Sequence, residues 1–272
     1  MYTSPRIIEV TPGCFNLRAP FQILAGMVDV GTHMSFVRLE SGKFLVLSTV
    51  QLDDEAKKEV MELTKGGELI EAVVATNPFH TLYFELFAEL FPNAKFYGTP
   101  RHMRNYPNVP WVGNVDDEKV LKLWAPEIEL EWTAGCEIVS PQPESINHFA
   151  GVVAFHRASR TIICDDCFKV SMDPGFIERN VFGRRNHEIS FHMSLWNHAL
   201  LNTPTSVQEF YDWVVKIMKE WDFDNISTAH GGVMVGDAKM ELGLGLKKAE
   251  EALTKMAVAK GGQLVSVPLP LA

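Results

Sequence analysis

The chain is poor in several things at once, and each shortage removes a class of function. Four cysteines in 272 residues (Cys14, Cys136, Cys164, Cys167) are too few and too scattered for a disulfide scaffold. No apolar run reaches the ~18 residues of a membrane span, and no charged-plus-apolar leader opens the chain. Basic residues are outnumbered, 25 Lys and Arg against 34 Asp and Glu, for a net charge of −9. That balance argues against nucleic acid or an anionic membrane as partner. There is no Gly-x-Ser-x-Gly, Gly-rich phosphate loop or Rossmann fingerprint, which removes serine hydrolases and nucleotide-binding dehydrogenases. Repeats of 20–50 residues, low-complexity tracts and interdomain linkers are also missing. The expectation is a reduced, cytoplasmic protein with a small-molecule partner; an organelle lumen stays open as the alternative, and so does the oligomeric state.

What is present is an ordinary globular composition, 46% hydrophobic and 22% charged, enough to bury a core without staples. Strand and tight-turn patterns run from Phe21 to Val50, with a hairpin of Met34–Leu39 and Phe44–Thr49. Helix and strand then alternate: helix 53–65, strand 70–76, helix 82–91, strand 95–99, which implies parallel neighbours. A surface loop is expected over 100–118, then strands at 120–124, 128–132 and 136–140. The segment 169–188 reads as a long irregular connection, followed by helices at 188–201 and 205–221, a strand at 225–229 and an outer helix at 237–260. Two half-chains of this kind pack sheet on sheet with helices outside. The expected fold is a four-layer αββα sandwich of mixed α/β content, as one domain over residues 1–272.

The chemistry centres on residues 145–168. Val152–Phe155 and Thr161–Cys164 read as two buried strands joined by a polar turn at Arg157–Arg160. An antiparallel hairpin brings the start of one strand beside the end of the other, so His148 should lie near Asp165. Imidazole and carboxylate at one end of a sheet suit a metal site or an acid–base pair. The plainer reading is that both are turn formers. A distant third residue, His230, shifts the balance towards a site.

These motifs resemble the metallo-β-lactamase superfamily, in particular a divergent, metal-motif-depleted branch of metallo-hydrolase-like proteins, over about residues 30–235. In that family a His precedes the hairpin with a Gly soon after, as in Asn147-His148-Phe149-Ala150-Gly151. An Asp ends the next strand, as in Cys164-Asp165-Asp166-Cys167-Phe168, and a late His-Gly follows a strand, as in Ala229-His230-Gly231. The family's Thr-His-x-His-x-Asp-His run is missing. Its place holds Thr76-Asn77-Pro78-Phe79-His80-Thr81-Leu82, where Asn77, Phe79, Thr81 and Leu82 occupy the ligand positions. Leu47-Ser48-Thr49-Val50 stands where the family has an earlier Asp-Thr-Gly.

The resemblance therefore implies at most one metal ion, zinc, iron or manganese, or none. Its ligands would be His148, Asp165 and His230, with His80 as a fourth if the loop is shifted by a residue. It implies a hydrolase of a small ester, lactone, thioester or phosphoester, with Asp165 at the metal and Asp166 or His80 carrying a proton. The alternative is a non-catalytic binding or scaffold protein that kept the fold. The donor atoms of His148, Asp165 and His230 should converge to roughly 3–4 Å. His80 should point elsewhere, turned outward by a buried Phe79. Cys164 and Cys167 have Cys-x-x-Cys spacing, but the carboxylates between them oppose a reactive dithiol. His33, His102, His156, His187, His192 and His198 read as surface or packing residues. Arg101 and Arg104 beside His102 read as a solvated basic turn, and Phe79, Tyr83, Phe84, Phe87 and Phe91 as core.

Overall fold

In the computed structural model, residues 6–23, 28–144, 146–172 and 185–270 are described. The first half contributes β1 (Ile7–Thr11), β2 (Cys14–Ala19), β3 (Gln22–Ile23), β4 (Val28–Asp29), β5 (Thr32–Arg38), β6 (Phe44–Leu47), α1 (Asp54–Leu63), β7 (Ile70–Val74), α2 (Phe84–Leu90), β8 (Lys95–Gly98), α3 (Pro100–Asn105) and β9 (Trp111–Asn114). The second half contributes α4 (Glu118–Leu121), β10 (Ile128–Trp132), β11 (Val152–His156), β12 (Thr161–Cys164), β13 (Phe168–Ser171), β14 (Glu188–Phe191), α5 (Ser206–Glu220), β15 (Asn225–Thr228), β16 (Val233–Met234) and α6 (Ala238–Ala259).

A seven-stranded sheet runs β1-β2-β5-β6-β7-β8-β9 and a five-stranded sheet runs β10-β11-β12-β15-β16. Side-chain alternation shows why they stack. In β6, Phe44 and Val46 face a cluster shared with α1 and α2, while Leu45 and Leu47 face the other sheet. In β11, Val152 and Ala154 face that same intersheet layer, while Val153 and Phe155 pack with residues of α5 and α6. A strand buried on both faces needs cover on both sides. Two sheets, each backed by helices, supply it, giving the αββα sandwich with α6 outside.

Several local expectations are corrected. Val120–Trp124 is no strand: Asp117 accepts from the Lys119 amide at 2.9 Å and caps α4 instead. Cys136–Ser140 forms only a single bridge, from Cys136 to Leu200. The helix expected over 188–201 is β14 followed by a 3-10 turn at Met193–Trp196. Ile189 and Phe191 alternate into the helix-side core, and that period of two decides for a strand. The loop at 100–118 contains α3 and β9. Of the expected 169–188 connection, residues 173–184 lie outside the described residues, and its first part is β13.

Candidate metal centre

One end of the sandwich carries a chain of polar residues on the inward faces of its strands. On β12 the alternation puts Ile163 inward and Cys164 outward. Asp165, the next residue, continues the inward series and is buried between the sheets. There it meets the residues that follow β6 and β7. Ser48 donates to its Oδ1 at 3.2 Å and Oδ2 at 3.1 Å, and Thr76 donates to Oδ2 through a very short bond. His33, inward on β5, places Nε2 3.4 Å from Oδ1. Behind it, Asn16 and Ser227 each come within 3.1 Å of His33 Nδ1.

Asp166 leaves the strand end and faces the mouth. Its Oδ2 lies 3.1 Å from His80 Nε2 and its Oδ1 3.1 Å from His230 Nε2. His148 Nδ1 is further off, at 3.7 Å from Oδ2. Among the described residues, His80, Asp166 and His230 form the set whose donor atoms all lie within 4.8 Å of one another.

His80 is carried in by a local turn. Asn77 Oδ1 accepts from the Phe79 amide at 2.8 Å, and Asn77 Nδ2 donates to the His148 carbonyl at 2.9 Å, tying the two loops together. Gly151 lets them approach, since a Cβ there would sit 2.9 Å from the Thr76 carbonyl oxygen. The expectation that His80 points away is overturned. Phe79 is half-buried, stacked on His148 at 4.5 Å between centroids with the Arg101 guanidinium over it at 4.6 Å, so it takes the mouth side and His80 the inner side. Leu82 is exposed and does not fill the site.

Asp165, expected among the donors, is not in the cluster. The structure puts Asp166 there and Asp165 one layer deeper, with His80 bridging them: its Nδ1 is 3.1 Å from Asp165 Oδ1. His33, Ser48 and Thr76 were absent from the expected site, and His102 from its support. The period of two through Thr32–Val37, with His33 and Ser35 opposite Met34 and Phe36, was the available signal.

The electrostatics follow from burial and mutual pairing. Burial opposes ionisation of Asp166, but His80 and His230 outweigh it and hold the carboxyl well below the usual carboxylate range. Burial opposes charge on His80 as well, and Asp166 and Asp165 reverse it, raising the imidazole well above its ordinary value. His230 is raised by Asp166 against the same burial. His33 goes the other way: burial lowers it, and Asp165 only partly compensates. Burial takes His102 down to about 3, so it is neutral and serves as a hydrogen-bonding group, its Nε2 3.2 Å from the His80 carbonyl.

Whether these residues suit a metal is tested by Asp166. Both its oxygens are fully buried, and the two imidazole nitrogens that stand 3.1 Å away, close enough to hold its charge, are not aligned on them as hydrogen-bond donors. Nitrogens aimed beside a carboxylate, and not at it, are arranged as ligands spaced around a common point are. Two imidazoles and a carboxylate are a donor set for zinc, iron or manganese. The residues fit one such ion.

A stacked αββα sandwich with a His/Asp cluster at one end defines a metallo-β-lactamase fold, and solved structures agree. The DIM-1 metallo-β-lactamase exposed to ceftazidime aligns with TM-score 0.58 and 13% identity, over 90% of this chain and 97% of that one. The FIM-1 enzyme from Pseudomonas aeruginosa, solved in its mono-zinc form, gives 0.57 and 10%, over 93% and 96%. A metallo-β-lactamase from Erythrobacter litoralis gives 0.55 and 11%, over 89% and 96%. A search of the curated proteins returned no match. By sequence, residues 20–183 match the family described as a domain of unknown function, DUF4336, and the chain belongs to that family.

Proposed function

We propose that the protein is a divergent metallohydrolase that works with one metal ion, held by His80, Asp166 and His230. The observation that carries this is the Asp166 carboxylate, fully buried and 3.1 Å from one nitrogen of each of two imidazoles that are not aligned on it as donors. When bound, a divalent ion supplies the Lewis acidity that water needs to attack esters near neutral pH. His148 stands on the mouth side, about one-third exposed and stacked on Phe79. There it carries a proton to or from the leaving group of a small ester, lactone, thioester or phosphoester.

One observation favours a second reading, a binding protein that has dispensed with metal. His80 lies between two carboxylates that raise its affinity for a proton, so the cluster balances its own charge as an imidazolium between Asp165 and Asp166. Elemental analysis of protein purified without chelator separates the readings. About one zinc, iron or manganese per chain, together with turnover of a chromogenic ester or phosphoester panel, is the expected result. Less than ~0.2 metal per chain, unchanged after incubation with each ion, overturns the first reading in favour of the second.

A further inference from the structure

We infer that Asp165 is a positioning residue, which fixes the His80 ring from behind so that Nε2 faces the metal site, and that His33 backs it. The inference rests on the metal reading above.

The carboxylate of Asp165 has no capacity left for an ion. A carboxylate offers about four lone-pair directions. Thr76 takes Oδ2, His80 and His33 take Oδ1, and Ser48, which shares its one proton with Thr76 Oγ1 at 2.7 Å, lies across both oxygens at 3.1–3.2 Å. With these partners Asp165 is fully engaged in the intersheet layer, while the adjacent Asp166 faces the mouth, with the Nε2 atoms of His80 and His230 at 3.1 Å as its neighbours.

Its effect falls on one bond. Asp165 Oδ1 sits 3.1 Å from His80 Nδ1, which holds the proton there and leaves the lone pair on Nε2, the atom 3.1 Å from Asp166. The backbone of His80 is anchored separately, its carbonyl accepting from His102 Nε2 at 3.2 Å and its amide donating to the Asn77 carbonyl at 3.1 Å. Ring rotation is therefore left to Asp165. His230 carries the same device with a different acceptor: its Nδ1 is 3.1 Å from the Val30 carbonyl, and its Nε2 also faces Asp166. Two imidazoles from distant parts of the chain thus present the same nitrogen for the same reason.

His33 extends the device inward. Asn16 Nδ2, a donor, lies 3.1 Å from His33 Nδ1, so that nitrogen accepts and Nε2 carries the proton towards Asp165. Asn16 Nδ2 also donates to the Met34 carbonyl at 3.5 Å, a group that can only accept, which orients the amide.

The test uses the full chain with zinc as the probe. Zinc affinity is measured by competition with a chromophoric chelator, and the His80 ring is read by ¹⁵N-edited NMR of the zinc-loaded protein. Asp165→Ala is expected to keep one zinc per chain with affinity weakened about 10–100-fold, and to lose a slowly exchanging Nδ1–H signal of His80. Asp165→Asn, whose amide oxygen can still accept, should fall between wild type and Asp165→Ala and serves if the alanine variant does not fold. His156→Asn, a buried histidine bonded to Ser159 and Arg38 far from the cluster, should leave zinc affinity unchanged and so controls for stability. Unchanged affinity in both Asp165 variants overturns the assignment, as does complete loss of the stoichiometric zinc, which would make Asp165 a ligand. Wild-type protein that takes up no zinc, iron or manganese overturns the metal reading itself, before any variant is made.

Discussion

Asp165 and Asp166 are consecutive, yet one histidine lies between their carboxylates: His80 Nδ1 is 3.1 Å from the first and Nε2 3.1 Å from the second. The strand pleat sends the first carboxylate inward among hydroxyls and the second towards His230 and His148. Similar in chemistry and adjacent in sequence, they belong to different layers of the same site.

Exchange of the two carboxylates should therefore have unequal consequences. Asp166→Ala removes the only acidic donor of the cluster and leaves two imidazoles, too few for tight binding of a divalent ion. We expect loss of stoichiometric metal and a fall in hydrolysis of about a thousandfold or more, given how much metal-assisted hydrolysis rests on the ion. Metal content and initial rates on the same preparation check this. An Asp166→Ala protein with wild-type metal content would remove His80, Asp166 and His230 as the centre.

The turn after β15 places His230, and Gly231 makes that turn feasible. Its φ is +97°, and a Cβ there would lie 1.7 Å from the Val170 carbonyl oxygen. Gly231→Ala should destabilise by about 3 kcal/mol or more, through strain and backbone displacement together, and should weaken metal binding by moving His230. Gly236 is the contrast. It too has positive φ, +79°, but nothing lies within 4 Å of its Cβ position. Gly236→Ala should cost only about 1–2 kcal/mol, the left-handed backbone penalty, with metal affinity intact. Urea midpoints and chelator competition on both variants decide.

The layers of the fold were legible because strands and helices come in two successive runs, and the near-continuous apolar stretches of β6, β7, β11 and β12 need cover on both faces. His148, the Asp165-Asp166 pair and His230 could be singled out because each lies beside a strand pattern, but the donor was expected to be Asp165, since nothing local says which of two adjacent aspartates faces the mouth. The rotation of His80 could not be read that way. It depends on an Asn77 turn, on Phe79 choosing His148 and Arg101 as neighbours, and on a buried carboxylate 85 positions away. His33 was hidden for a related reason: its partners Asp165 and Ser227 come from the opposite sheet, and no local pattern says which residues face each other across a sandwich. The helix expected at 188–201 failed because its apolar residues satisfy either period until β13 supplies a partner.

Acid should loosen the fold through His102. Burial lowers its imidazole to about 3, against 6.5 when unperturbed. Between those values the unfolded chain binds a proton that the folded chain refuses, so the stability it contributes is complete above pH 6.5 and declines as pH falls towards 3. His102→Gln retains a donor for the His80 carbonyl and does not titrate. From pH 7.5 to pH 5, wild type should lose about 2 kcal/mol more than the variant. The other buried histidines are common to both proteins and cancel in the difference. Denaturant titrations at the two pH values measure it, and parallel losses would show that His102 is not the sensitive group.

Metal removal supplies a stability signal independent of any substrate. An ion that binds the folded chain alone stabilises it by RT ln(1 + [L]/Kd), about 2.7 kcal/mol when the free ion is at 100 times its Kd. For a chain of this size each kcal/mol moves the midpoint by roughly 2–4 °C, so Tm should rise by about 5–10 °C. A chelator should reverse the rise completely, because the buried His80–Asp165–His33 layer and the sheet cores hold the fold without the ion. In Asp166→Ala the same addition should leave Tm unmoved, since two imidazoles alone do not retain the ion. Scanning calorimetry on wild type and variant, each with zinc, iron or manganese and then with excess chelator, gives the comparison. A rise of equal size in both proteins would locate the ion away from Asp166. No rise with any of the three ions would leave His80 held as an imidazolium between two carboxylates, and the binding-protein reading would stand.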